Sequence, residues 1–133
     1  MSLNWPKPGL GHVPDYQVSS WPYVTASSIA TAGDKKRIQF PGVTRWIQIH
    51  NGDHSGGSTL KFGFTENCFL AANSNYFSLH AGEMTTRLEL KCKEIWITAD
   101  TNSTPFNVIA GYTNINTGSF PTMTGSAGWQ GIG

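Results

Sequence analysis

Apolar and polar side chains alternate with a period of two along most of the chain beyond Lys36. In the stretch KRIQFPGVTRWIQIHN (residues 36–51), Ile38 and Phe40 alternate with Arg37 and Gln39. After a hinge at Pro41 and Gly42, Ile47 and Ile49 alternate with Trp46, Gln48 and His50. This is the signature of half-buried strands. Leu60, Phe62 and Phe64 repeat it around Gly63, a mid-strand glycine that predicts a close neighbour. Phe77 and Leu79 form a brief strand. Leu88, Leu90 and Cys92 face one way and Arg87, Glu89 and Lys91 the other, the cleanest alternation in the chain. Ile95 and Ile97 follow, and Phe106, Val108 and Ala110 form the last core strand.

Turn-forming clusters separate these runs. NGDHSGGS (residues 51–58) is a polar, glycine-rich connection, either a hairpin or a longer loop. Residues 66–75 form a loop with room for one helical turn, and DTNSTP (residues 100–105) is a turn cluster. Short strands at this spacing, with no helical period anywhere, predict an all-β fold. The candidates are a β-sandwich or jelly roll, with a small barrel as the other closed solution.

The two ends of the chain read differently. Residues 1–28 contain Pro6, Pro8, Pro14 and Pro22 and no sustained apolar period, so they predict an extended N-terminal arm. Trp5, Tyr16, Trp21 and Tyr23 distinguish it from a disordered linker, which has few aromatics. The arm is expected to lie against its own domain or a neighbouring subunit. Residues 113–133 predict an extended C-terminal tail anchored by Phe120, Met123, Trp129 and Ile132. The β body then spans residues 29–112. Trp5, Trp21, Tyr23, Phe120 and Trp129 are the expected interface residues, because interfaces favour large aromatics.

A length of 133 residues fits one domain, since a single core serves about 100 to 200 residues. Nine Lys and Arg against eight Asp and Glu leave a net charge of +1, and the one basic run is Lys35, Lys36 and Arg37. That footprint argues against nucleic acid as a partner. Low charge together with five Trp suits a surface that ends up covered. Residues 1–10 lack the pattern of a secretory leader, and no apolar run approaches the roughly 20 residues of a membrane span. Synthesis and folding in the cytoplasm, without a membrane partner, are therefore expected.

Candidate chemistry is sparse. His50, Asp53 and His54 lie close together, but they run from a strand end into a glycine-rich loop, whereas zinc sites need rigidly held ligands at recurring spacing. A structural or exposed histidine is the favoured reading, and no metal ligand or cofactor is assigned. The carboxylates are scattered over turns and outward positions, so a glycosidase pair would arise only by accident of folding. No nucleophile elbow or phosphate loop is present, and no catalytic residue is assigned. Asn102, Ser103 and Thr104 form a glycosylation sequon that is expected to go unused without a leader. Cys68 and Cys92 lack redox or zinc spacing. Buried free thiols are the favoured reading, with a disulfide left open. Exposed Trp and Tyr would also suit stacking on sugars, which makes a carbohydrate-binding module the main rival to a structural role.

Several phrases in order, PDYQVSSWPYVTAS (residues 14–27), RIQFPGVTRWIQIHN, LKFGFTEN, NYFSLHAGE, RLELKCKEIWITAD, NVIAGYTNI and FPTMTGSAGWQGIG, resemble the small virion structural proteins of tailed bacteriophages, particularly marine ones. The resemblance covers nearly the whole chain from Pro14 and contains no catalytic signature. It implies a non-enzymatic β-sandwich or jelly-roll subunit of the virion, assembled after synthesis in the host cytoplasm. The role implied is a capsid decoration or cement protein that bridges major capsid proteins. A homotrimer at local threefold sites would fit such a shell. A tail, baseplate or fibre component is the alternative within the same particle.

Overall fold

The computed structural model describes residues 20–72, 74–123 and 132. Within them the chain is all-β. The strands are β1 (Trp21–Ile29), β2 (Lys35–Gln39), β3 (Thr44–Asn51), β4 (Thr59–Gly63), β5 (Phe77–His80), β6 (Glu94–Ala99) and β7 (Thr104–Tyr112), with 3₁₀ turns at Glu66–Phe69 and Thr117–Ser119. The turn at Glu66–Phe69 is the single helical turn expected there.

All pairings are antiparallel, in a three-stranded sheet ordered β1-β7-β3 and a four-stranded sheet ordered β2-β6-β4-β5. Residues 84–92 run along the free side of β3 as an irregular ribbon, with bridges from Leu88 to Ile47 and from Met84 to His50. Counting the ribbon, the orders β1-β7-β3-ribbon and β2-β6-β4-β5 are those of an eight-stranded jelly roll with one strand degenerated. β3 and β4 lie in different sheets, so residues 52–58 form a loop between sheets and not a hairpin.

Side-chain parity dictates the core. Ile29, Ile47, Ile49, Phe106, Val108 and Ala110 from one sheet meet Ile38, Leu60, Phe62, Leu79, Ile95 and Ile97 from the other. Burying each Ile, Leu or Phe contributes roughly 1.5–3 kcal/mol, enough in sum to hold the sheets face to face. Phe77 keeps the inward parity of Leu79 and packs against Phe62, with ring centres 5.7 Å apart, yet it is 60% exposed because it lies at the end of edge strand β5.

Three expectations need correction. The boundary drawn at residue 28 between arm and body is too late: Trp21–Ile29 is a nine-residue strand paired with β7 along its whole length. The apparent strand around Leu88 and Leu90 is the irregular ribbon. Its backbone contacts to β3 are partly replaced by hydroxyls, since Ile49 N donates to Thr85 Oγ1 (3.0 Å) and Cys92 N to Thr44 Oγ1 (3.0 Å), while Leu90 N turns back onto Leu88 O. The start of the tail also packs on its own domain. Val43 and Thr113 exchange hydrogen bonds with the tail and β3 approach, Thr113 N donating to Val43 O and Val43 N to Ile115 O, and Val43, Ile115 and Phe120 form a second small buried cluster.

Both cysteines are free and buried. Burial pushes the Cys68 thiol up, and it holds the Cys92 thiol up at about 11, where a contact with Thr44 Oγ1 only partly opposes it. Gly63 is the close approach its sequence predicts. A Cβ there would collide with Cys68 Sγ and lie 3.1 Å from Asn75 O, because the 3₁₀ turn folds back over β4.

Gly63→Ala should therefore lower stability by about 1–3 kcal/mol in urea denaturation, the usual range for overpacking. Gly57→Ala is the control. A Cβ at Gly57 meets nothing within 4 Å, and its stability should stay within about 0.5 kcal/mol of the parent.

Candidate functional site

In a two-sheet sandwich the alternate side chains not used in the core form two outer faces that point in opposite directions. Here the two faces differ in chemistry. On the β1-β7-β3 sheet the cross-strand rows are Pro22, Gly111 and Trp46; Val24, Ile109 and Gln48; and Ala26, Asn107 and His50. No Asp, Glu, Lys or Arg occupies these positions. Met84 joins the third row through its bridge to His50. Val24 is 68% exposed, Met84 60% and Ile109 39%, and they border a shallow groove of about 280 Å³ with Gln48 and His50. The Trp46 indole lies across Gly111 and donates to Ser20 Oγ at 3.3 Å, so it spans the sheet from β3 to the start of β1. A side chain at position 111 would occupy that path.

The outer face of the other sheet is basic and aromatic. One row reads Lys35, Thr98, Lys61 and Ser78, and the next reads Arg37, Trp96 and Gly63. Arg37 pairs with Glu94 and has its guanidinium 5.8 Å from the Trp96 ring centre. Lys61 Nζ lies 4.9 Å from the Tyr76 ring centre, and Tyr76 in turn packs against Phe69 at 6.1 Å.

The expected interface residues that are described, Trp21, Tyr23 and Phe120, do not gather on either face. Trp21 is 58% exposed, and its indole donates to Asn114 Oδ1 at 3.0 Å. Tyr23 turns inward and meets Phe40 edge-on at 5.3 Å. Phe120 is buried beside Val43 and Ile115, so it serves its own domain. Trp5 and Trp129 lie outside the described residues. The residues that sequence reasoning missed are Val24, Ile109 and Met84. One signal was available: in NVIAGY, Ile109 is apolar at the outward parity between Val108 and Ala110, the mark of a strand with apolar groups on both sides.

The histidine loop is held by its own side chains. Asn51 is buried at the end of β3; its amide donates to Leu79 O (3.1 Å) and its Oδ1 accepts from Asp53 N (3.0 Å). Asp53 Oδ1 accepts from Ser55 N (2.9 Å) and Ser55 Oγ (2.6 Å), and Oδ2 accepts from Ser58 N (3.1 Å). These bonds hold the Asp53 carboxyl well below the usual range, with the Ser55 hydroxyl the largest cause and Ser58 next. Of the donors on Ser58, the amide is the aligned one, since its buried hydroxyl has no partner. His50 Nδ1 lies 3.3 Å from Asn107 Nδ2, and His54 is exposed. Among the described residues, no group of three or more His, Cys, Asp or Glu is placed to hold a metal ion. No described helix is long and apolar enough to cross a membrane.

A carboxyl whose folded-state pKa is depressed stabilises the fold fully above its unfolded value, here 3.8, and loses that contribution as the pH falls through the folded value. The loop should accordingly keep its order down to about pH 4 and loosen below it. Asp53→Asn should reproduce the loosening at neutral pH. The readout is faster amide exchange at Ser55 and Ser58, with exchange in β7 unchanged.

No protein-family model and no curated protein matches the chain. A solved structure titled "Crystal structure of PirA" aligns with 78% of this chain and 100% of that chain, at 17% identity and a TM-score of 0.38, a likeness too weak to bear on function.

Proposed function

We propose that this chain is a non-enzymatic structural protein of a virion, a capsid decoration subunit that stabilises the shell by bridging major capsid proteins. The observation that carries the reading is the neutral outer face of the β1-β7-β3 sheet, where Val24, Ile109 and Met84 stand exposed around one groove. A contiguous apolar patch of this kind marks a surface that functions when covered. The occupant we assign is the outer surface of a capsid lattice. The resemblance of the ordered phrases to phage virion proteins supports that choice. Jelly rolls also recur in viral capsids, although they occur in lectins too, so the fold alone supplies analogy and not function. A homotrimer on the local threefold sites belongs to the same proposal.

The test is a cryo-electron microscopy map of virions carrying the chain, with density for the jelly roll on the head lattice and its β1-β7-β3 face turned to the capsid. Density in the tail or baseplate would replace the decoration role with tail assembly. In a binding assay with shells stripped of the chain, Val24→Glu combined with Ile109→Glu should reduce occupancy at least tenfold. Circular dichroism and thermal midpoint should stay near those of the parent, because both positions face solvent in the free subunit. Undiminished occupancy would mean that the face is not the docking surface.

A further inference from the structure

We infer that the opposite face carries a binding cleft for an acidic sugar, a pyranose ring bearing a carboxylate or sulfate. The cleft is about 440 Å³ and is bordered by Lys35, Lys61, Phe69, Thr98 and Asp100, within the usual range of small-ligand sites. Its floor is a single cross-strand row. Lys35 and Lys61 both pair with Thr98, from β2 on one side and β4 on the other. Their backbones are thus two strand spacings apart, roughly 9.5 Å, and both side chains rise on the same side of the sheet. That separation lets two long ammonium arms close on one anion from opposite sides.

Among the described residues neither lysine forms an ion pair; the ion pairs there are Arg37 with Glu94 and Arg87 with Glu89. Lys61 instead stands over the Tyr76 ring, which leans on Phe69. That arrangement fixes one ammonium beside an aromatic wall. Two like charges carried on one row repel, and an anion bound between them would relieve the repulsion.

The remaining groups favour a sugar over a bare anion. Phe69 is half-buried and offers an apolar surface to the C–H face of a pyranose. Asp100 uses Oδ1 to accept from Thr59 N (2.8 Å), which leaves a carboxylate oxygen at the rim for sugar hydroxyls. Two ammoniums against one carboxylate give the cleft a net charge of +1, suited to a hydroxylated monoanion. The Trp residues that first raised the sugar reading take no part in it. Since the cleft and the neutral face lie on opposite sides of the sandwich, a docked subunit would present the cleft outward.

The experiment is a titration of the full ¹⁵N-labelled chain with an oligomannuronate, a neutral glucan of matched length, and sodium sulfate. The oligomannuronate should shift the amides of Lys35, Lys61, Phe69 and Thr98 selectively, and its affinity should fall as ionic strength rises. Lys35→Gln with Lys61→Gln should weaken it at least tenfold, and Phe69→Leu at least threefold, with amide spectra elsewhere unchanged. Equal binding of the neutral glucan, or shifts confined to another surface, would overturn the assignment. So would sulfate binding as well as the sugar acid with Phe69→Leu silent, which describes a bare anion site. The lysine variants should leave shell occupancy intact, so failure here is distinguishable from failure of the virion reading.

Discussion

Strand β7 must satisfy two neighbours and two environments at once. It pairs with β1 through nine consecutive positions and with β3 on its other side, so its backbone is closed by protein along both edges. Its inward residues Phe106, Val108 and Ala110 are fully buried and fill the centre of the core. The cross-sheet cluster is built on them, and β7 is the middle strand of the three that form the sheet with the neutral outer face. At its end, Gly111 keeps the outer surface low enough for the Trp46 indole to cross to Ser20, tying β3 to the start of β1 over β7.

Because the jelly roll fixes which parity faces the core, it also separates the two outer faces, and the chain fills them with different chemistry. The β1-β7-β3 face has no formal charge in its rows, while the β2-β6-β4-β5 face holds Lys35, Arg37 and Lys61 among Trp96, Tyr76 and Phe69. A molecule with a neutral apolar side and a basic aromatic side is suited to meeting two different partners simultaneously. Three of its other polar groups are committed internally. Asp53 is consumed by its own loop, Asn51 by the β3–β5 junction, and Thr44 by the backbone of the ribbon.

The period-two pattern carried the fold class and most core positions, because parity on a strand decides burial wherever one face is covered. It could not reveal β1. WPYVTASSI contains one fully buried residue, Ile29, with Tyr23 half-buried, and draws its order from pairing with β7, a partner 75 or more residues away in sequence. The ribbon misled in the opposite way. Its alternation is real, and Leu88 and Leu90 are half-buried, but Thr85 and Thr44 hydroxyls take over ladder positions that sequence periodicity assigns to backbone. Of the aromatic anchors expected at an interface, Tyr23 and Phe120 turned inward, because aromatic identity does not encode which surface a flanking segment covers. The cleft was invisible for a related reason: Lys35, Lys61 and Thr98 share a row only once β2, β6 and β4 have been ordered in space.

The free edges of the sandwich are guarded unequally, and the inequality bears on docking. Exposed edge strands invite pairing with other chains unless they are short, charged or irregular. β5 is four residues long, β2 carries Lys35, Lys36 and Arg37, and the ribbon breaks its own ladder. β1 is nine residues long with no charged side chain. Among the described residues its blunting features are Pro22, which removes one donor, and the Lys36 ammonium that reaches Ser27 from the other sheet. This edge borders the neutral face directly, through Pro22, Val24 and Ala26. Under the proposed docking, a partner on that face would lie beside a strand that pairs on one side alone among the described residues, so main-chain hydrogen bonds and apolar burial would arise at the same corner of the molecule.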